Sequence, residues 1–388
     1  MLPGNLIRDE LIRREPSLSN RVIEARRSRL SAPVRYTTEA SILIPCFNGE
    51  RYLKQCLETL FTTKGVSFET IIVDNASTDN SLEIARSYPP VTVIANGRNV
   101  GFPVAINQGA SLAKGEFLVI LNQDTEVEPN WLLELITVLR QNPKVAICGP
   151  KILDSKNRAA VQQLGVMVDR FGFAIYIQNL NQVRSEVFMV SGAAMVIRHD
   201  VFKTLGGFDE DYFIFEDDLD LCWRARLAGY KVMVDSSSIV FHRGGSAVEG
   251  GFPEKGQFKT SLTRRYFSER NTLQTLLKNY ETANIMKRVP PYIGMNLAEI
   301  ALFVLSGQIN GTIAYVRSFY YNIVRFRKTW QKHVEIGRIR AISDRKLSAV
   351  QDPRNLKIQA FLRWGVPTFE GKGPRPAFSP GRYTRNSS

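Results

Sequence analysis

Between residues 40 and 121, four short apolar runs alternate with stretches of helical period, and this pattern restricts the possible folds more than any other feature. The runs are ASILIP, ETIIVD, VTVIAN and EFLVIL. Between them lie NGERYLKQCLETLF, DNSLEIARSY and PVAINQGASLAKG. In the first stretch Tyr52, Leu53, Cys56, Leu57, Leu60 and Phe61 recur at helical spacing, with Asn48 as the expected cap. The third is expected to be closed by Gly115. Strands alternating with helices predict an α/β fold: a doubly wound, mostly parallel sheet with helices on both faces. Such sheets bind ligands beyond the carboxyl ends of their strands. Three of these ends are polar, at Pro45–Glu50, Asp74–Ser77 and Asn122–Glu126, so the fold would gather them along one edge.

Further along, a helix is expected from Trp131 to about Arg140, and another over 216–229 that opens with acids. After about Gly251 the character changes to basic and aromatic helices. The expected organisation is an N-terminal arm at 1–38, a catalytic domain at 39–251, a basic helical region at 252–364 and a disordered Pro/Gly/Arg/Ser tail at 365–388.

Charge follows the same division. Residues 257–388 carry 23 Lys/Arg against 7 Asp/Glu, whereas residues 1–256 carry 28 against 30. A basic segment of this kind meets anionic lipid, phosphorylated glycolipid or nucleic acid, or is a solvated surface. Neither zinc spacing nor the aromatic RNA-binding signature is present, so no nucleic-acid partner is expected. The stretch Ile300–Val316 is uncharged but interrupted by Ser306, Gly307, Gln308, Asn310 and Gly311. It is too polar and too short for a spanning helix, and amphipathic helices on a membrane surface are expected instead, with a helical packing domain or dimer interface as the alternative. Four separated cysteines, at 46, 56, 148 and 222, read as buried reduced thiols of a cytosolic protein. The charged opening MLPGNLIRDELIRREP has no apolar core of a secretory signal, so a cytoplasmic chain, peripheral at the inner membrane face, is expected.

Four constellations carry chemistry. In LNQDTE a carboxylate, Asp124, stands at a strand end beside Asn122. It offers oxygen to a hard divalent cation such as Mg²⁺ or Mn²⁺, or it forms an Asx-type turn into the next helix. FEDDLDLCWR places Glu216, Asp217, Asp218 and Asp220 together. They either favour a helix N-terminus or supply a general base whose pKa a partly apolar setting raises. His242 in FHRGG follows an apolar strand; it is a satisfied histidine or a metal ligand beside Asp124. NGRNVGFPVAINQG, with Asn99, Gly101 and Asn107, opens a helix whose amides suit a nucleotide or diphosphate. Phosphate-loop, zinc-protease, serine-elbow and dinucleotide signatures are absent from the sequence.

The ordered set SILIPCFNGERYLKQCLETL, IIVDNASTDNS, NVGFPVAINQG, VILNQDTEV, VSGAAMVIR, LGGFDEDYF, EDDLDLCWRARLAGYKV and FHRGGSA resembles family 2 glycosyltransferases of the inverting GT-A class, in their rhamnosyltransferase-like branch. The resemblance spans roughly residues 40–250. It implies that Pro45, Phe47, Asn48 and Glu50 surround the base and ribose of a nucleoside diphosphate sugar, with Asp74 and Asn75 as base contacts. Asn99, Gly101, Asn107 and Asn122 would be further donor contacts. Asn122-Gln123-Asp124 stands where the family has its DxD motif, with Asn122 replacing the first acid, so Asp124 with His242 would hold the metal. Asp218 falls at the catalytic-base position with Asp217 beside it, and Gly192 and Trp223 would lie on the acceptor side. The implied acceptor is a glycan or a polyprenyl-diphosphate-linked sugar of surface polysaccharide synthesis, and the implied donor sugar is rhamnose. Galactofuranose, glucose or an N-acetylhexosamine are alternatives, as is a non-catalytic glycan- or lipid-binding subunit. A nucleotidyltransferase would be expected to show a Gly-rich phosphate loop with a basic residue near the first strand, and PCFNGERY is not that.

Overall fold

The computed structural model of the chain describes residues 36–244, 250–254 and 257–369. The expectations for residues 1–35 and 370–388 lie outside the described residues, as do Gly245, Ser246 and Ala247 of FHRGGSA. The chain begins with β1 (Thr38–Cys46), α1 (Glu50–Leu60), β2 (Phe68–Asp74), α2 (Ser81–Arg86), β3 (Val91–Ala95), α3 (Phe102–Leu112) and β4 (Gly115–Leu121). It continues with β5 (Thr125–Val127), α4 (Trp131–Gln141), β6 (Val145–Asp154), β7 (Val161–Gln163), β8 (Val166–Val168), β9 (Ala174–Tyr176) and β10 (Arg184–Glu186). Next come β11 (Ala194–Arg198), α5 (His199–Thr204), α6 (Asp217–Leu227), β12 (Lys231–His242), β13 (Gly250–Glu254) and β14 (Gln257–Thr260). The last third holds α7 (Leu262–Asn279), α8 (Thr282–Leu305), α9 (Ile309–Ile339), α10 (Asp344–Leu347), α11 (Leu356–Trp364) and β15 (Thr368–Phe369).

The main sheet has the order β10-β12-β6-β11-β4-β1-β2-β3. Strands β3, β2, β1 and β4 are parallel, and β6 and β12 are parallel to each other, while β11 and β10 run against their neighbours. The sheet is mostly parallel, as the alternation predicts. Side chains leave a strand on alternate sides, so a strand covered on both faces reads as an unbroken apolar run. Leu43, Ile71 and Ile120 accordingly enter one core, while Ile42, Ile44, Ile72 and Val119 enter the other. The pairing of Cys46 with Asp74 and of Leu43 with Ile120 brings the strand ends level, and their polar sequels emerge along one edge.

Three local expectations are corrected. Helix α1 starts after Gly49 without a side-chain cap, because Asn48 turns its Oδ1 to the Thr78 amide at 2.9 Å. Gly115 does not close α3 but starts β4; a Cβ there would lie 2.4 Å from the Ser41 amide nitrogen, so only glycine allows β1 and β4 to meet. Residues 365–369, expected to begin a disordered tail, are ordered: Phe369 pairs with β14 and packs on Phe303 at 5.2 Å between ring centroids.

The uncharged stretch at 300–316 straddles the turn between α8 and α9, where Gly307 takes φ +71°. Among the described residues no helix is long and apolar enough to cross a membrane. Part of the basic excess is internal. Lys278 pairs with Asp209 and, at 3.0 Å, with Asp220, and Lys332 pairs with Asp209 and, at 2.6 Å, with Asp211. These ion pairs fasten α7 and α9 to the loop before α6 and α7 to α6 itself.

Candidate active site

A cleft of about 330 Å³ opens at the carboxyl edge of the sheet. Pro45, Phe47, Asn75, Asn99, Gly101, Asn122, Asp124, Gly192, Asp217, Asp218 and His242 all line it. Strand order explains the convergence: β1, β2 and β4 deliver their ends side by side, and β11 next to β4 carries the turn 191–193 to the same place.

The first wall is held by Gln123. Its side-chain amide accepts from the Phe47 N–H at 2.9 Å and donates to the Phe47 carbonyl at 3.1 Å, clamping the β1 loop to the β4 loop. A Cβ on Gly49 would fall 2.3 Å from Gln123 Oε1, so glycine is what lets this clamp close. Asp124 follows directly. The antiparallel pairing of β12 with β5 sets His242 opposite Thr125, which brings His242 Nε2 to 3.3 Å from Asp124 Oδ1.

The facing wall is the acidic turn before α6. Phe213, Phe215 and Glu216 have φ of 66°, 66° and 59°, a left-handed conformation that L-residues adopt only when the surroundings impose it. Hydrogen bonds from α7 and from the start of α3 impose it here. Asn271 on α7 donates its amide to the carbonyls of Tyr212, Ile214 and Phe215, and Arg270 donates to those of Asp211 and Tyr212. The Phe102 N–H donates to the Phe213 carbonyl at 2.7 Å, over Gly101 at φ +87°, where a Cβ would lie 2.6 Å from that same oxygen. The turn aims Asp218, whose Oδ2 accepts from the Gly192 N–H at 3.0 Å and whose Oδ1 accepts from the Leu219 N–H at 2.8 Å.

Electrostatics separates the three acids. Burial, reinforced by Asp218, pushes the Glu216 carboxyl up to about 8. Burial and the same neighbour hold Asp217 well above the ordinary carboxylate range. Asp218 is raised by burial but restrained by the amides of Gly192 and Leu219. Asp218 is therefore the acid of this group best suited to carry charge, and the other two favour their protonated forms. Asp220 takes no part: it is fully buried and paired with Arg224 at 2.8 Å and with Lys278.

Asp124 and His242 offer one carboxylate and one imidazole, beside the Asn122 amide, a donor set that suits Mg²⁺ or Mn²⁺ sharing its remaining positions with phosphate oxygens. Among the described residues no group of three or more His, Cys, Asp or Glu side chains gathers as a closed metal cage.

Five residues expected at the site face elsewhere. Asn48 and Glu50 bind the loop before α2, Glu50 Oε1 accepting from Asn80 Nδ2 at 2.6 Å. Asp74 lies behind the wall with Oδ2 accepting from the Ser77 N–H at 3.0 Å, while its buried Oδ1 has no hydrogen-bond partner in the protein. Asn107 is occupied by the Phe208 backbone, donating to its carbonyl and accepting from its N–H at 2.9 Å each. Trp223 is fully buried between Phe188 and Tyr280, because the α6 face that carries it turns into the core. Conversely, sequence spacing does not reveal Gln123 as a clamp, Asn271 as the support of the acidic turn, or Arg264 and Tyr176 as cleft residues.

Comparison with known proteins bears on the family and the fold. Residues 41–206 match the sequence model of the family described as Glycosyl transferase family 2. An O-antigen biosynthesis protein of Myxococcus xanthus is 29% identical over 58% of this chain, which spans only 19% of that relative. An N-acetylglucosaminyl-diphospho-decaprenol L-rhamnosyltransferase of Mycobacterium tuberculosis is 26% identical over 50% of this chain and 71% of its own length. The crystal structure of GalNAc-T7 with UDP, GalNAc and Mn²⁺ shares the fold, with a TM-score of 0.51 at 18% identity over 63% of this chain and 48% of that one.

Proposed function

We propose that the chain, whose residues 41–206 match the sequence model of glycosyl transferase family 2, is an inverting, metal-dependent glycosyltransferase that uses a nucleoside diphosphate sugar. The observation that carries this reading is that Asp124 and Asp218, distant in sequence, line one cleft from two different walls. We assign residues 39–251 to catalysis and 252–364 to a helical region that supports it. The relative from Mycobacterium tuberculosis, named a rhamnosyltransferase, favours rhamnose as the donor sugar, and the one from Myxococcus xanthus, named for O-antigen biosynthesis, favours surface polysaccharide as the product class.

The donor's base and ribose would lie against Pro45, Phe47, Asn75 and Asn99. Asp124 and His242 would hold Mg²⁺ or Mn²⁺. When bound, the ion neutralises charge on the departing diphosphate. Asp218 accepts the proton of the acceptor hydroxyl as that oxygen attacks the anomeric carbon. The carbon–oxygen bond to the diphosphate breaks in the same displacement, and the anomeric configuration inverts. Asp217 and Glu216, favouring their protonated forms, leave Asp218 as the base.

Peripheral membrane contact fits the exposed apolar residues of the C-terminal helices, among them Leu305, Tyr320, Ile323 and Leu362, which share those helices with exposed Lys287, Arg317 and Arg363. The deciding experiment is a panel of nucleotide sugars with Mn²⁺ and Mg²⁺, scored by donor hydrolysis. Turnover of one donor that Asp218→Asn removes supports the reading. Absence of turnover with every donor and both ions overturns it.

A further inference from the structure

Outside the cleft, buried polar groups converge on Glu269, a residue of α7 that is itself buried. Its Oε1 accepts from Arg265 Nη1 and from Lys357 Nζ, at 2.9 Å each. Its Oε2 accepts from the Tyr292 hydroxyl at 2.7 Å and from Asn296 Nδ2 at 3.0 Å. The Tyr315 hydroxyl stands between Glu269 Oε1 at 3.0 Å and Glu299 Oε2 at 2.6 Å. These partners belong to α7, α8, α9 and α11, so one carboxylate joins four helices. Arg265 and Lys357 offset the charges of Glu269 and Glu299. Burial alone would raise the Glu269 carboxyl, but Lys357 and Arg265 hold it down at about 2.

The residues beside Glu269 hold the acidic turn. Arg270 and Asn271 donate to the carbonyls of Asp211, Tyr212, Ile214 and Phe215, and the Ser268 side chain hydrogen-bonds the Glu216 carboxyl. At about 100° per residue, Glu269 and Asn271 leave α7 on nearly opposite sides. Helix α7 therefore carries the cluster of C-terminal helices on one side and the acidic turn on the other. Apolar burial holds a helix in place without a preferred rotation, because it is non-directional. Hydrogen bonds weaken steeply when bent. Tyr292, Asn296, Tyr315 and Lys357, reaching Glu269 from three other helices, thus fix how far α7 is turned about its axis. Asn322 of α9 adds a tie to the Arg270 carbonyl at 3.0 Å.

Building on the transferase reading, we propose that Glu269 is a positioning residue for the reaction: it fixes the rotation of α7, which places Asn271 under the acidic turn and so aims Asp218. Glu269 lies outside the cleft and acts only through these neighbours. The helices α8, α9 and α11, which contribute no lining residue to the cleft, are in this way part of the catalytic unit.

The test compares Glu269→Gln and Tyr292→Phe with the unaltered chain. The first removes the charge at nearly constant size. The second removes one hydroxyl and keeps the ring, and it carries the test if the first does not fold. With saturating donor, kcat should fall at least about tenfold in Glu269→Gln and at least about threefold in Tyr292→Phe, as a misplaced reacting group implies. Donor KM should stay within about twofold, because the nucleotide wall belongs to β1 and β2. The acid limb of kcat/KM should move to higher pH, because Asp218 loses the Gly192 amide that favours its charged form. In an Asp218→Asn background, Glu269→Gln should cost no further activity. Hydrogen exchange read by mass spectrometry should quicken over residues 211–220 and stay unchanged over 43–49. A lowered melting temperature with kcat per folded molecule and the acid limb both unchanged overturns the proposal, and so does exchange that does not quicken over 211–220. Exchange needs no substrate, so it decides this inference even where no donor turns over, a result that overturns the transferase reading instead.

Discussion

The Gly192 N–H donates to Asp218 Oδ2 at 3.0 Å, so the turn leading into β11 aims a carboxylate that belongs to α6. The bond leaves both carboxylate oxygens with a further lone pair while favouring the charged form. Asp218→Asn keeps the shape and removes the base. Transfer should fall roughly 100- to 10,000-fold, the range a positioned base supplies, with donor affinity within about twofold. Because burial raises Asp218, kcat/KM should fall on acidification at a pH above the ordinary carboxylate range. Initial rates against pH, with nucleotide affinity by calorimetry, check both; retained turnover in the variant would refute the role.

Asp124 and His242 stand 3.3 Å apart because β5 pairs with β12, which predicts a shared dependence on metal. Mn²⁺ should raise the melting temperature in the presence of the donor's nucleoside diphosphate. Asp124→Ala should abolish that rise and His242→Ala should weaken it, whereas nucleotide binding without metal should change little. An unaltered Mn²⁺ titration in Asp124→Ala would remove the pair from metal binding.

Much of this was legible in the sequence, for identifiable reasons. Strand alternation is local, and it gives the sheet, its mostly parallel character and the edge where Pro45, Asn75 and Asp124 meet. The acid cluster at 216–220 marks the start of α6 and the acidic wall of the cleft. What escaped depends on contacts far apart in the chain. Asn271 looks like any polar helix residue, and only the packing of α7 under the 212–215 turn gives it a function. Trp223 and Asn107 failed as site residues for the converse reason: the helix face that carries each one turns towards the protein, which motif spacing does not encode. The basic C-terminal helices read as surface, yet Lys278, Arg265 and Arg270 are buried in ion pairs and hydrogen bonds.

Glu216 makes stability depend on pH in a stated direction. Its carboxyl rises from 4.5 to about 8 on folding, so between those values the folded chain holds a proton that the unfolded chain has released. The stabilisation is full below the unfolded value and is lost as pH rises through the folded one. In metal-free buffer the melting temperature should decline between about pH 5 and pH 8 more steeply in the native sequence than in Glu216→Gln, which cannot titrate. Parallel slopes by circular dichroism would show that Glu216 is not the group responsible.

Asn271 gives the sharpest test of the link between the C-terminal helices and catalysis. Its amide holds the carbonyls of Tyr212, Ile214 and Phe215 in the stretch that contains the left-handed residues Phe213, Phe215 and Glu216. Asn271→Ala removes the side-chain donor of the part-buried Ile214 and Phe215 carbonyls, at a cost of about 1–3 kcal/mol. The turn should then relax, and Asp218 with it, because the strained backbone persists only while its neighbours enforce it. The expected result is a lowered melting temperature with kcat reduced at least about tenfold, as a misplaced base implies. The donor KM should stay nearly constant, since Pro45, Phe47 and Asn75 are held by β1 and β2 on the other wall. A purely structural role would lower the melting temperature and leave kcat per folded molecule intact. An equal loss of donor affinity would show instead that the two walls move together.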